Sequence, residues 1–503
     1  MKRTLLVFLL VNLMLSACAP VSAPTSTPAP SATPLSTATA TPTSTATPTS
    51  TPTATPTATP TPIPTIQVGD LSVPDPRVTN PELFDLRNPD APIPQFVNAL
   101  RMAGIEITAE QVAQGITYEA LKDKDGNHFV VAVYNLAPAL FPEQYRDLAG
   151  PIPLMIAKKS GNGKWSWKEN VLKDSDITIG FSGWYPDNIS VIETQADRLL
   201  SAWEFIFDNY NPPILTQAGY NFQHTDNIVR IAQTHGLKLR AQDLLYGVPK
   251  FIEEGQYTND QLLGFIEKHI RTVVGRYKGK VDQWSVANEV MQPWNDASFL
   301  YNRFGPGNLN WLELAFRTAH EVDPEATLIL NDTGIEFLTT PPRWRSHYVD
   351  MFYELVRNLI QKGAPIDAVG FQMHLYAEDY TDQQKLDAAI QSFKKNVQRF
   401  RELGVEVIIT EWDVRLGALK NYPSEERALL QARIYGRFLR AAIESGITDV
   451  TFFSVNDEDS WLENPNFSGL MADINNDPCL FSNKKPKFSY YAVLRTLTYT
   501  VWP

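Results

Sequence analysis

At 503 residues the chain exceeds what one ordinary hydrophobic core fills, so two or more parts are expected. A formal net charge of −12 argues against nucleic acid or an anionic membrane surface as partner, because both require clustered Lys and Arg. Two cysteines, Cys18 and Cys479, are too few for a disulfide framework or a cysteine-based metal site.

Residues 1–18 read as an export signal. Lys2 and Arg3 give a basic start, and the apolar run 5–15 has signal-peptide rather than membrane-spanning length. Leu15-Ser16-Ala17-Cys18 resembles a bacterial lipobox, which implies lipidation of Cys18 as the mature N-terminus. An ordinary secretory signal is the competing reading. The protein is therefore expected on the extracellular face of a bacterial envelope, touching the membrane only through Cys18, or else secreted. Residues 19–65 form an uncharged Thr-Pro-Ser-Ala tract with too few apolar side chains for a core. Its prolines favour an extended, disordered stalk that reaches on the order of 140 Å at about 3.1 Å per residue.

Residues 66–176 have a different texture. A helix over 94–102 is stopped by Gly104, and Thr108-Ala109-Glu110-Gln111 has capping-box spacing. Strands at 118–122 and 128–134 flank Asp125-Gly126-Asn127, and strands at 153–157 and 164–168 flank Ser160-Gly161-Asn162-Gly163. This is a small α+β domain whose role the sequence does not reveal. Trp165, Trp167 and Tyr134 are expected to pack its core rather than form a sugar platform.

From 177 to 503 the pattern becomes regular. Strand-like segments recur at 177–181, 205–208, 237–242, 281–288, 327–331, 368–374, 405–411 and 449–455. Helical periodicity fills 226–234, 262–277, 311–322, 348–362, 387–403 and 424–445, and Gly236, Gly363, Gly404 and Gly446 stand where C-caps belong. Eight strands alternating with helices predict an α/β fold of the (β/α)8 barrel type. A doubly wound open sheet is the rival. It lacks support because no Gly-x-Gly-x-x-Gly follows the first strand.

In a barrel the C-terminal strand ends form the active rim. Those ends carry Gln242, Asn288-Glu289, Asn331-Asp332, Gln372 with His374, Glu411 with Asp413, and Asn456-Asp457. Any one of them reads as a solvated strand end, but together they do not. Glu289 and Glu411 close two apolar strands, and two such carboxyls are the minimal kit for hydrolysing a glycosidic bond. A second histidine at a strand end is lacking, so no metal and no cofactor is expected.

From about residue 180 to 491 the chain resembles glycoside hydrolase family 10, the endo-β-1,4-xylanase family. The resemblance rests on Trp284-Ser285-Val286-Ala287-Asn288-Glu289, Gly370-Phe371-Gln372-Met373-His374-Leu375, Ile409-Thr410-Glu411-Trp412-Asp413 and Asp457-Glu458-Asp459-Ser460-Trp461. It implies a retaining mechanism, with Glu289 as acid/base and Glu411 as nucleophile about 5–5.5 Å away. It further implies that His374 bridges Glu411 to Asp413 and that Asn288 contacts the sugar 2-hydroxyl. Gln372, Gln242, Tyr246, Asn209 and Trp461 would join it in substrate binding. Trp294 and Trp311 are candidates for the leaving-group side, although helix packing explains Trp311 equally well.

Departures gather on one wall. The family's third-strand motif Arg-Gly-His-Thr-Leu-Val-Trp-His reads Arg240-Ala241-Gln242-Asp243-Leu244-Leu245-Tyr246-Gly247 here. Asp208-Asn209 stand in for Glu-Asn, Pro212 replaces a lysine, and Phe453 replaces a tryptophan. The expected function is endo-hydrolysis of β-1,4 linkages in xylan or a related plant polysaccharide, by a monomer. The alternatives are a retaining β-glycosidase for another β-glucan or oligosaccharide, and a non-catalytic cell-surface carbohydrate-binding lipoprotein.

Overall fold

The structure is a computed structural model that describes residues 62–182, 188–202, 215–216, 219–292, 298–338, 347–463 and 476–500. The signal with Cys18, the tract up to residue 61, the segment 205–208, Asn209 and Trp294 lie outside the described residues.

Folded structure begins earlier than expected. The hairpin β1 (Thr65–Val68) and β2 (Leu71–Pro74) turns at Gly69, whose φ of 59° suits glycine. Next come helices α1 (Pro92–Met102) and α2 (Ala109–Gly115). Thr108 caps α2 by accepting from the Gln111 amide, and the Gln111 side chain accepts from the Thr108 amide in return. An antiparallel sheet follows in the order β3 (Ile116–Lys122), β4 (His128–Leu136), β5 (Gly150–Lys159), β6 (Trp165–Glu169). Val130 and Ala132 alternate with Val131 and Val133 along β4, so one face joins the main core while the other forms a small separate cluster. Trp167 is buried and donates its indole N–H to the Pro74 carbonyl at 2.7 Å, and Tyr134 packs edge-on against Phe96. These two aromatics are core residues.

The barrel strands are β7 (Thr178–Ser182), β8 (Arg198–Ala202), β9 (Lys238–Leu245), β10 (Gln283–Asn288), β11 (Thr327–Asp332), β12 (Ala368–Phe371), β13 (Glu406–Arg415) and β14 (Asp449–Phe452). Each pairs in parallel with its sequence neighbours, and β14 pairs with β7, which closes the ring and rules out an open sheet. The second strand lies before the expected segment. The apolar stretch from Leu199 to Phe207 carries no turn residue, so only pairing with β7 and β9 reveals where the strand sits. Outer helices include α3 (Gln223–Thr234), α4 (Asn259–Tyr277), α5 (Asn310–Val322), α6 (Tyr348–Gln361), α7 (Gln383–Arg401), α8 (Ser424–Glu444) and the closing α9 (Phe488–Thr500).

A repeated device sets the register. Asp197, Asp282 and Asp367 each stand one residue ahead of a strand. Their carboxylates accept the amides of Ile179, Leu239 and Leu328 on the strand before, while their carbonyls accept from Lys238, Thr327 and Glu406 on the strand after. Inside the same end, Arg240 donates to Gln283 at 2.6 Å and to Asp449 at 2.8 Å. Arg198 also pairs with Asp449, and Gln283 donates to it at 2.8 Å. Two guanidinium groups thus share one buried carboxylate drawn from four strands. Burial pulls Arg240 down to about 10, partly offset by the charge of Asp449.

Helix α9 packs on α8 and on β5. Phe96 meets Tyr491 with ring centroids 4.9 Å apart, and Tyr499 donates to Glu119 at 2.7 Å.

Candidate active site

The site is built at the C-terminal strand ends. Asn288 ends β10, and Glu289 follows with φ 51°, a left-handed conformation uncommon outside glycine. Its amide donates to the Asn331 carbonyl at 3.0 Å, so the turn is held by the neighbouring strand end. Met373, at φ 63°, makes a comparable turn between Gln372 and His374. Such conformations persist only where surrounding structure over-determines them, and here they aim a carboxyl and an imidazole into the rim.

Four amides and two carboxyls form one network. Asn331 donates its Nδ2 to Glu411 Oε1 at 2.7 Å and to Asn288 Oδ1 at 3.0 Å. Gln372 donates its Nε2 to Glu289 Oε1 at 2.9 Å and to Asn288 Oδ1 at 3.1 Å. Gln242 adds a 2.6 Å bond to Glu411 Oε1. Asn288 is therefore the shared acceptor between the Glu289 and Glu411 sides. Asn331 is locked in turn by Thr410, whose hydroxyl donates to its Oδ1 at 2.7 Å. Residue 370 must be glycine here, since a Cβ at that point would stand 2.2 Å from Asn331 Oδ1 and 2.7 Å from Thr410 Cγ2.

His374 lies between Glu411 Oε2 at 3.4 Å and Asp413 Oδ1 at 3.0 Å. Burial alone would lower its pKa, but the charges of Asp413 and Glu411 outweigh it and push the imidazole well above its ordinary value. Trp461 donates its indole N–H to Asp413 Oδ2 at 2.8 Å and lies against His374, with ring centroids 5.2 Å apart. Phe453 packs edge-on to His374 and clusters with Leu200 and Trp461. Trp461, expected only in substrate binding, thus also anchors the aspartate that holds the histidine.

The structure brings together Glu289, Glu411, His374, Asp413, Asn288, Gln372, Gln242 and Trp461. Tyr246 sits one residue past the end of β9. Gln372 and Gln242 are buried and turned to the glutamates, and Asn288 is buried and turned to Gln372, Asn331 and Asp243, rather than lying on an open wall. Trp311 is buried in α5 and stacks with Phe304, which settles it as packing. Asp457 is paired with Lys487 at 3.0 Å and receives the Cys479 amide, so that carboxyl fastens the eighth-strand loop.

Several residues had no role assigned from sequence. Asn331 and Asp332 were visible only as polar strand ends. Asp332 accepts from Gln292 and Tyr348, and burial with the charge of Glu289 raises its pKa well above the carboxylate range. Glu336 accepts the Met373 amide at 3.1 Å and helps hold that turn. Asp243 accepts from Asn288. No sequence motif marks these contacts, because each joins residues 16 or more positions apart that only the fold brings together.

A parallel closed barrel with one glutamate just past β10 and another in the C-terminal half of β13 defines a glycoside hydrolase of the large barrel type. Residues 192–496 match the family model described as glycosyl hydrolase family 10, and the chain belongs to that family. It is 30% identical over 355 residues to endo-1,4-beta-xylanase B of Thermotoga neapolitana, covering 69% of this chain and 90% of that protein. The fold is similar to native xylanase 10B of Thermotoga maritima, with TM-score 0.56 and 27% identity over 66% of this chain and 97% of that one. It is equally similar to xylanase 10B of Thermotoga petrophila RKU-1 in complex with xylobiose, with TM-score 0.56 and 26% identity over 66% of this chain and 99% of that one.

Proposed function

We infer that the chain is a retaining endo-1,4-β-xylanase. The observation that carries this reading is the amide network in which Gln372 holds Glu289, Asn331 holds Glu411, and Asn288 accepts from both. Glu411, steered by Gln242, Asn331 and His374, attacks the anomeric carbon. Glu289 gives its proton to the departing glycosidic oxygen, leaving a covalent glycosyl-enzyme. Glu289 then takes a proton from water as that water displaces Glu411, so two inversions return the starting configuration. A positioned general acid or base contributes about 10²–10⁴-fold. His374 and Asp413 orient Glu411.

A second reading, hydrolysis of another β-glucan or oligosaccharide, is favoured by Gln242 and Tyr246 on the third strand and Phe453 on the eighth. Loss of a hydroxyl-binding partner shifts specificity strongly. A panel of xylan, arabinoxylan, mixed-linkage glucan and cellulose separates the two. Reducing sugar is expected from the xylans, and release from a glucan alone sinks the first reading. Proton NMR of the first product is expected to show the β-anomer, and an α-anomer excludes retention.

We further propose that Cys18 carries the lipid anchor and that residues 19–61 act as a stalk holding a monomeric enzyme clear of the envelope. Support comes from the signal-like composition and the Thr/Pro tract. The residues before β7 are proposed as an accessory layer of the catalytic unit. Changing Cys18 to serine is expected to release the protein into the medium, and retention in the membrane fraction would refute the anchor.

A further inference from the structure

Asp243 is a third carboxyl beneath the site, and the two-step mechanism gives it no part. It lies on β9 next to Gln242 and is wholly buried. Its Oδ2 accepts from Asn288 Nδ2 at 2.9 Å, while its buried Oδ1 has no partner among the described residues. The charged groups that face it are Glu411, from β13, and Glu289, just past β10, and both are acidic. Arg240, on its own strand, is committed to Gln283 and Asp449. An ionised carboxylate with one hydrogen bond and the negative Glu411 as neighbour would cost several kcal/mol, on the order of the penalty for an uncompensated buried charge. Burial, reinforced by the charge of Glu411, raises its pKa well above the carboxylate range against the single opposing bond from Asn288.

We propose that Asp243 is a positioning residue that works as a neutral, proton-bearing acid and fixes the orientation of Asn288. The proposal rests on Glu289 and Glu411 being the reacting pair. With the proton on Oδ1, Oδ2 stays an acceptor and keeps the Asn288 N–H directed at it. Asn288 Oδ1 must then face Gln372 and Asn331, the amides that hold the two glutamates. A flipped Asn288 would set N–H donors against N–H donors and loosen both carboxyls at once. The neutral form achieves this without placing a second negative charge beside the Glu289–Glu411 pair. The proton stays on Asp243 throughout turnover and does not enter the reaction. Where the family motif has a threonine, this chain has an acid that copies an uncharged acceptor.

The test uses the full chain and two variants. Asp243→Asn keeps a neutral group with an acceptor, whereas Asp243→Ala removes the acceptor. The alanine variant is expected to lose at least about tenfold more kcat/KM than the asparagine variant, chiefly in kcat. The alkaline limb of the kcat/KM profile in Asp243→Asn is expected to stay where it is in the parent, since no charge is lost. In the unliganded parent, the ¹³Cγ signal of Asp243, assigned by its disappearance in Asp243→Asn, is expected to keep its neutral-acid position through neutral pH. Equal losses in both variants overturn the proposal. So does a displaced alkaline limb, or a ¹³C signal that titrates in the ordinary carboxylate range. Glu411→Ala on the same substrate keeps the two readings apart. If that variant stays active, the catalytic assignment fails, while the NMR titration still decides the charge on Asp243. The titration also stands if the alanine variant fails to fold, and Asp243→Ser replaces Asp243→Asn for the assignment if the asparagine variant does.

Discussion

Replacing Glu411 by alanine is expected to lower kcat on xylan by at least about 10⁴-fold, the scale of losses when a covalent nucleophile is removed. Glu411 Oε1 takes hydrogen bonds from Gln242 and Asn331 at 2.6 and 2.7 Å, and Oε2 faces His374 at 3.4 Å. Three donors converge on a carboxyl that is 4% exposed, so its position is fixed before the sugar arrives. Alanine removes the attacking oxygen and leaves those donors aimed at empty space. A small external anion such as azide then fits the gap and attacks from the same side, giving a product of inverted configuration. Rescue with inversion, followed by NMR of the glycosyl azide, identifies Glu411 as the nucleophile. A Glu411→Ala protein that keeps more than about one hundredth of the parent rate would show that the carboxylate acts only by its charge.

The second large effect is on stability. Asp449→Ala is expected to destabilise the fold by about 3–5 kcal/mol, because it leaves buried guanidinium groups uncompensated. Arg240 is 0% exposed and Arg198 4% exposed, so water cannot take over for the lost carboxylate. The loss is a large part of the roughly 5–15 kcal/mol that holds a typical domain together. The two guanidinium charges hold the Asp449 carboxyl below its ordinary value in spite of burial. Urea unfolding followed by circular dichroism measures the effect. Asp449→Asn, which keeps an acceptor but loses the charge, should fall between parent and alanine. An alanine variant within about 1 kcal/mol of the parent would mean that the arginines find other partners.

The two central strands were legible because nothing competes with their pattern. Residues 283–288 and 407–412 are buried along their whole length, and their apolar runs end abruptly in polar residues. β8 was misplaced because the chain continues apolar past it, and periodicity alone cannot choose between two adjoining runs. Helix α4 starts at Asn259 rather than 262. Thr258 accepts from the Gln261 amide there, a cap whose spacing is written in the sequence but which precedes the apolar stripe. Glu289, Glu411, His374 and Asp413 could be named because each lies late in, or just past, an apolar barrel strand. The network among them could not. Asn331 reaches Glu411 across 80 residues and Gln242 reaches it across 169, and only the closed ring brings them together.

The joining of Phe96 to Tyr491, and of Glu119 to Tyr499, ties the first folded segment to the last. The latter bond spans 380 positions. During synthesis the N-terminal layer therefore emerges long before the helix that completes its core. Contacts of such range demand loop closure over most of the chain, which slows the final step. The apolar side chains of α1 that meet α9 stay uncovered until that helix is made. The order in which the ribosome delivers this chain is thus the reverse of the order in which its N-terminal layer can settle.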